Sequence, residues 1–138
     1  MSRFVLTLLR YVWALPNTAL GLTFAPLAWL GRGGVRFVDG VIEIEGGGVR
    51  WLLRNATPIG GAMALTLGHV VLGQSRAALD VSREHERVHV RQYERWGPFF
   101  LPAYFAGSAI AAIRGGHFYR DNPFEREAYG IVQSGPDR

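Results

Sequence analysis

A chain of 138 residues with 49% hydrophobic side chains has the size of one domain and enough apolar surface for its own core, with no room for a large second domain. It has no cysteine, which excludes disulfides and thiolate ligands, so a metal here has to be held by histidine and carboxylate. The net charge of +4 comes from arginine alone and favours anionic partners such as phospholipid head groups; no nucleic-acid motif accompanies it, and nucleic acid is not an expected partner.

Residues 1–30 stand apart as an apolar helical segment. Tyr11 to Leu30 is uncharged and, at 20 residues, long enough to cross a bilayer as a helix. Pro16, Asn17 and Pro26 interrupt that reading. The alternative is two short helices, Arg3 to Leu15 and Thr18 to Trp29, with Asn17 capping the second, lying in a membrane interface or packed on the domain. Arg3 and Arg10 precede the run and Arg32 and Arg36 follow it, so charge gives no orientation. No small-x-small site marks a cleaved signal peptide. The expectation is membrane association, with the bilayer or its surface as a partner.

From Gly31 the pattern turns to strands, opening a domain over residues 31–138. Val35 to Val38 and Val41 to Glu45 flank Asp39-Gly40, a strong hairpin signal, with Ile42 and Ile44 toward the core and Val41, Glu43 and Glu45 outward. Gly46-Gly47-Gly48 reads as a turn, and Val49, Trp51 and Leu53 then alternate as a third strand. After a loop from Asn55 to Gly61, a fourth strand runs from Ala62 to Leu72 and puts Met63, Leu65, Leu67, His69 and Val71 on one face.

Leu79 to Trp96 contains no Gly or Pro, can be capped by Asp80 or Ser82, and stops at Gly97-Pro98. Inside it lies His85-Glu86-Arg87-Val88-His89. Positions i and i+4 share a helix face, so the two imidazoles can converge on one small cation. Glu86 stands about 100° round the helix, placed to reach a metal-bound water without being a ligand. The histidines fall on the side of Val88, Gln92, Tyr93 and Trp96, while Arg83, Arg87, Arg91 and Arg95 form an outward stripe. That stripe reads as a solvated face or, at a membrane, as a contact for anionic lipid.

Pro98 to Ile113 is an uncharged run, short for a span, that fits a buried or bilayer-dipping helix. A short connection, Arg114 to Asp121, leads to a last helix with Asn122 as N-cap and Pro123 at its first position. The tail from Ser134 to Arg138 reads as frayed.

On these two motifs, spanning about residues 79 to 130, the chain resembles the gluzincin metallopeptidases, zincin-like HExxH enzymes whose third zinc ligand is a Glu on a later helix. It is most similar to the membrane-associated branch of CAAX-processing and heat-shock membrane proteases, in which that Glu begins a Glu-x-x-Ala-Asp pattern. Glu125-Arg126-Glu127-Ala128 matches its Glu-x-x-Ala part, so the resemblance makes Glu125 the ligand beside His85 and His89, with Glu127 or His69 as the alternative ligand or supporting group. Tyr129 stands where the pattern has Asp, so another group has to orient the ligands.

Four strands followed by helices predict an α+β fold, about four mostly antiparallel strands with helices on one face, and that order resembles a minimal zincin-like domain, in which a sheet edge can hold an extended peptide. The resemblance implies a zinc-dependent hydrolase. Zn2+ lowers the pKa of its water to about 7, and Glu86 acts as the general base. Tyr119, His117, Arg120 and Tyr129 are candidate oxyanion donors. The expected partner is a peptide or protein substrate; the alternative is a noncatalytic module in which zinc stabilises the fold. Oligomeric state and substrate identity stay open.

Overall fold

The computed structural model describes residues 1–57 and 61–134. In chain order it contains α1 (Arg3–Leu22), a 3-10 turn (Ala25–Trp29), β1 (Gly34–Val38), β2 (Val41–Glu45), α2 (Gly47–Ala56), β3 (Ala64–Leu67), β4 (Val70–Gly73), α3 (Arg76–Trp96), a second 3-10 turn (Gly97–Phe99), α4 (Phe100–Ile113) and α5 (Pro123–Ser134). The strands form one sheet in the order β1-β2-β4-β3, antiparallel except for β2 beside β4. This is the expected α+β class with a four-stranded, mostly antiparallel sheet. Part of the expected 55–61 loop, and the tail beyond Ser134, lie outside the described residues.

The β1–β2 hairpin turns at Asp39 and Gly40, both at positive φ, with Val38 opposite Val41, as the Asp-Gly pair demands. The third expected strand is instead α2. Val49 and Leu53, four apart, are fully buried, while Trp51 is 66% exposed, which a strand alternating through Val49, Trp51 and Leu53 would not allow. The fourth expected strand is a hairpin, β3 and β4, folded at Gly68-His69. Gly68 is at φ +63, and a Cβ there would stand 2.3 Å from Thr18 Oγ1, so the turn needs a residue without a side chain.

Both faces of the sheet are covered. Ile44, Val70 and Leu72 pack with Val49 and Leu53 of α2 and with Ala28. On the other face Val41 and Val71 meet Leu79 and Val90 of α3. Val41 and Glu43, read as outward, are therefore buried. The arginine stripe is not free either. Arg83 binds both carboxylate oxygens of Glu43 at 2.9 and 3.0 Å, Arg87 donates to Val38 O at 2.9 Å, and Arg36 and Arg87 each lie 3.6 Å from Glu43. Long arginine stems reach back to the sheet, so Arg83 and Arg87 serve the core rather than solvent or lipid.

α1 is one helix through Pro16, whose ring faces outward. Asn17 caps nothing. It is buried and donates to Gly97 O at 2.9 Å, while Thr18 Oγ1 accepts from His69 N at 3.0 Å. Ala14 packs with Tyr93 and Phe100, so residues 1–30 are tied into the domain. α3 begins earlier than expected because Ser75 Oγ caps it, accepting from Ala78 N at 3.1 Å. The stretch Arg76–Ile113, which runs through α3, the turn at Gly97 and α4, holds an 18-residue window of mean hydropathy 1.3, long and apolar enough to cross a membrane by length and composition, and 22% of that window is buried.

Candidate metal centre

α3 and α5 cross so that His85, His89 and Glu125 meet. Glu125 Oε2 lies 3.0 Å from His85 Nε2 and 3.2 Å from His89 Nε2, and the two nitrogens are 3.2 Å apart. Ligands roughly 2.0–2.2 Å from a tetrahedral ion stand roughly 3.3–3.6 Å from one another, so three neutral-nitrogen or carboxylate donors at these separations fit a single small divalent ion. They form one group of metal-competent side chains, each donor within 4.8 Å of the others. Glu125 reaches the site because α5 starts where the sequence says: Asn122 Oδ1 accepts from Phe124 N at 2.9 Å, and Asn122 Nδ2 binds Tyr104 O and Ser108 Oγ, fastening the helix start to α4.

Two of the three donors, His89 and Glu125, are held by a further side chain. Gln92 Oε1 stands 2.8 Å from His89 Nδ1, which places the proton on Nδ1 and turns Nε2 toward the centre. Gln92 is itself fully buried and donates to Phe124 O at 3.0 Å, bridging the two helices. Tyr104 on α4 donates to Glu125 Oε1 at 2.7 Å. These two groups do the orienting left open by Tyr129. The Tyr129 ring instead packs 4.5 Å from that of His85. Gln92 carried a sequence signal, a polar residue on the inward face three positions after His89; Tyr104 carried none.

Glu86 is buried and not in the donor group. Its Oε2 accepts from Thr66 Oγ1 on β3 at 2.6 Å, and Tyr93 fixes that strand by donating to Thr66 O at 2.9 Å. β3 is an edge of the sheet, so Glu86 is tethered to an edge strand.

The charges are coupled. Burial alone pushes the Glu125 carboxyl up, but hydrogen bonds from His85 and His89 outweigh it and hold it at about 2. Burial pushes the His89 imidazole down, and the hydrogen bond to Glu125 and the charges of Glu86 and Glu125 overcome this and raise it to about 9. The metal-free centre thus keeps a proton between His89 and Glu125 that a cation has to displace. Burial, with the hydrogen bond to Tyr129 and the Glu125 charge adding to it, drives the Tyr119 hydroxyl upward, so it stays a proton donor.

A cavity of about 480 Å³ lies beside the centre, lined by Glu86, His89, Glu125 and Tyr119 at its polar end and by Leu53, Leu67, Leu101 and Phe105 among others. Tyr119 therefore borders the same space as the candidate base, and its hydroxyl is 3.2 Å from that of Tyr129. His117 is turned away: its Nδ1 accepts from the backbone of Tyr119 and Arg120 at 3.1 Å, closing its own turn. Arg120 is exposed. Glu127 lies outside the donor group and pairs with Arg95. His69 is elsewhere, because the hairpin carries it away from the face on which a continuous strand would have put it. It is stacked 3.9 Å from Tyr11 and 3.0 Å from Glu94, in a separate cavity of about 590 Å³.

Searches for relatives returned no matching family model, no matching curated protein and no matching solved structure.

Proposed function

We propose that the chain is a zinc-dependent hydrolase of peptide bonds acting at a membrane, with His85, His89 and Glu125 as ligands and Glu86 as general base. The observation that carries this reading is the convergence of those three donors at the polar end of an otherwise apolar cavity, with a fourth carboxylate from the same helix beside them but outside the donor set. Zinc held there would acidify a water and polarise a carbonyl.

The chain's own residues supply the rest. Gln92 and Tyr104 fix His89 and Glu125, which limits the reorganisation that accompanies binding. Thr66 holds Glu86 by one oxygen, leaving the carboxylate oriented to accept a proton from water and return it to a departing amine. Tyr119, which lines the same cavity and is kept protonated, would donate to a developing oxyanion. An extended peptide would align along the edge strand β3, drawing on backbone hydrogen bonds with little demand on its sequence. Membrane association is supported by the apolar 18-residue window within Arg76–Ile113 and the uncharged run of residues 11–31.

Glu86→Gln tests the chemistry. It should abolish cleavage of a casein or peptide-library substrate by the zinc-loaded protein while leaving zinc stoichiometry unchanged. Cleavage that persists in Glu86→Gln rules Glu86 out as the base.

A further inference from the structure

α1 is built inside out. Its buried positions are Ala14, Asn17, Thr18 and Gly21, and the two polar ones are hydrogen-bonded into the body through Gly97 O and His69 N. Its outward surface displays Leu8, Leu9, Val12 and Leu15, each about half or more exposed. A helix of a water-soluble domain has the opposite arrangement. α4 repeats the anomaly: it carries no charged residue, and Phe105 and Ile113, eight apart on one side, are 63% and 85% exposed. Trp13 of α1 meets Phe99, the residue just before α4, with rings 6.0 Å apart and both exposed, and Leu20 of α1 and Phe105 of α4 line the same cavity. Exposed apolar area this large and continuous requires a partner.

We infer that this surface docks on one leaflet of an anionic phospholipid bilayer, with the outward side of α1, Phe99, Phe105 and Ile113 in the acyl region and the mouth of the cavity, rimmed by Leu20, Leu65 and Phe105, opening at the lipid. The occupant is lipid rather than a second copy of the chain. α1 beyond Arg10 and the whole of α4 carry no charge, and the charges that bound these runs are basic, which matches an apolar acyl layer under anionic head groups. The ends of the runs suit head groups: Arg32 and Arg114 are exposed, follow Leu30 and Ile113 closely, and make no ion pair among the described residues.

The contact is one-sided. α4, at 14 residues, rises about 21 Å, short of a hydrocarbon core about 30 Å thick. α1 is longer but is held against the domain along Ala14 to Gly21, so it lies on the body instead of leaving it as a span. Docking in this way rests on the membrane association proposed above and is independent of the hydrolytic chemistry.

The chain has no native cysteine, so single-cysteine variants of the full protein report the contact cleanly. Leu9→Cys, Phe105→Cys and Ile113→Cys sample the surface and Leu65→Cys the cavity mouth; Phe37→Cys on β1, at the opposite edge of the sheet, and Val81→Cys in the first half of α3 are controls, both highly exposed. Each is labelled with a water-soluble maleimide with and without preformed phosphatidylcholine vesicles containing phosphatidylglycerol. The first four should label about tenfold more slowly with vesicles and the controls at an unchanged rate, with weaker protection on pure phosphatidylcholine. Equal labelling of all six, protection of the controls, or protection that needs protein concentration but no vesicles would each overturn the docking. The Glu86→Gln background should give the same pattern, so a failed hydrolase reading leaves this test intact, and a failed docking leaves the hydrolase test intact.

Discussion

Gln92 Oε1 lies 2.8 Å from His89 Nδ1 while Gln92 Nε2 donates to Phe124 O, so one fully buried amide sets the orientation of a candidate ligand on α3 and ties it to the helix that brings Glu125. The centre is therefore pre-formed by the packing of α3 against α5, and its donors cannot be separated from the fold.

Gln92→Ala should consequently have two effects. Freeing the His89 ring should weaken zinc binding about 10–100-fold, as measured by competition with a chromophoric chelator. Losing the buried amide that bridges the two helices, and with it the partner of His89 Nδ1, should cost about 1–3 kcal/mol of metal-free stability in denaturant titration. Unchanged zinc affinity in a folded Gln92→Ala protein would show that His89 is not a ligand oriented by Gln92.

The stability of the metal-free protein should depend on pH in a defined way. The Glu125 carboxyl, lowered from 4.5 to about 2, contributes stability that is full above 4.5 and lost as pH falls through 2. The His89 imidazole, raised from 6.5 to about 9, contributes stability that is full below 6.5 and lost as pH rises through 9. Both contributions are complete only between about pH 4.5 and 6.5, so chemical-denaturation midpoints without metal should be highest there and fall on either side. Glu125→Gln should flatten the alkaline limb. Zinc should add progressively more stability from pH 6 to pH 9, because it competes with the His89 proton.

Glu43 supplies a stability test away from the centre. It is 2% exposed and neutralises Arg83, with Arg36 and Arg87 close by. Glu43→Gln leaves these guanidinium groups without their buried counter-charge and should destabilise the fold by about 3–5 kcal/mol in denaturant titration, with zinc stoichiometry unchanged in the folded fraction. A loss below about 1 kcal/mol would mean that the cluster is solvated.

Much of this architecture is local and was legible in the sequence. The Asp39-Gly40 turn, the uninterrupted helix around His85 to His89 and the Asn122-Pro123 helix start each depend on a few adjacent residues, and each forms as those residues dictate. Val49, Trp51 and Leu53 misled because a short alternation shares Val49 and Leu53 with a helical i, i+4 pair, and only the exposure of Trp51 separates the two. The single strand drawn through His69 failed at Gly68, whose need for a positive φ is invisible until Thr18 packs against it. Arg83 and Arg87 point away from the histidines on a helical wheel, which shows direction and not the reach of a long stem back to the sheet. Tyr104 and Thr66 hold Glu125 and Glu86 purely through tertiary contact, with no spacing to betray them.

The central claim is tested most directly by metal content per chain, measured by elemental mass spectrometry on untagged protein offered zinc and then desalted, beside His85→Ala and Glu125→Ala. The account predicts about one zinc per wild-type chain and a loss of binding in both variants, with the three donors acting as one site. Zinc absent from the folded wild type, or retained at full stoichiometry by both variants, would contradict it.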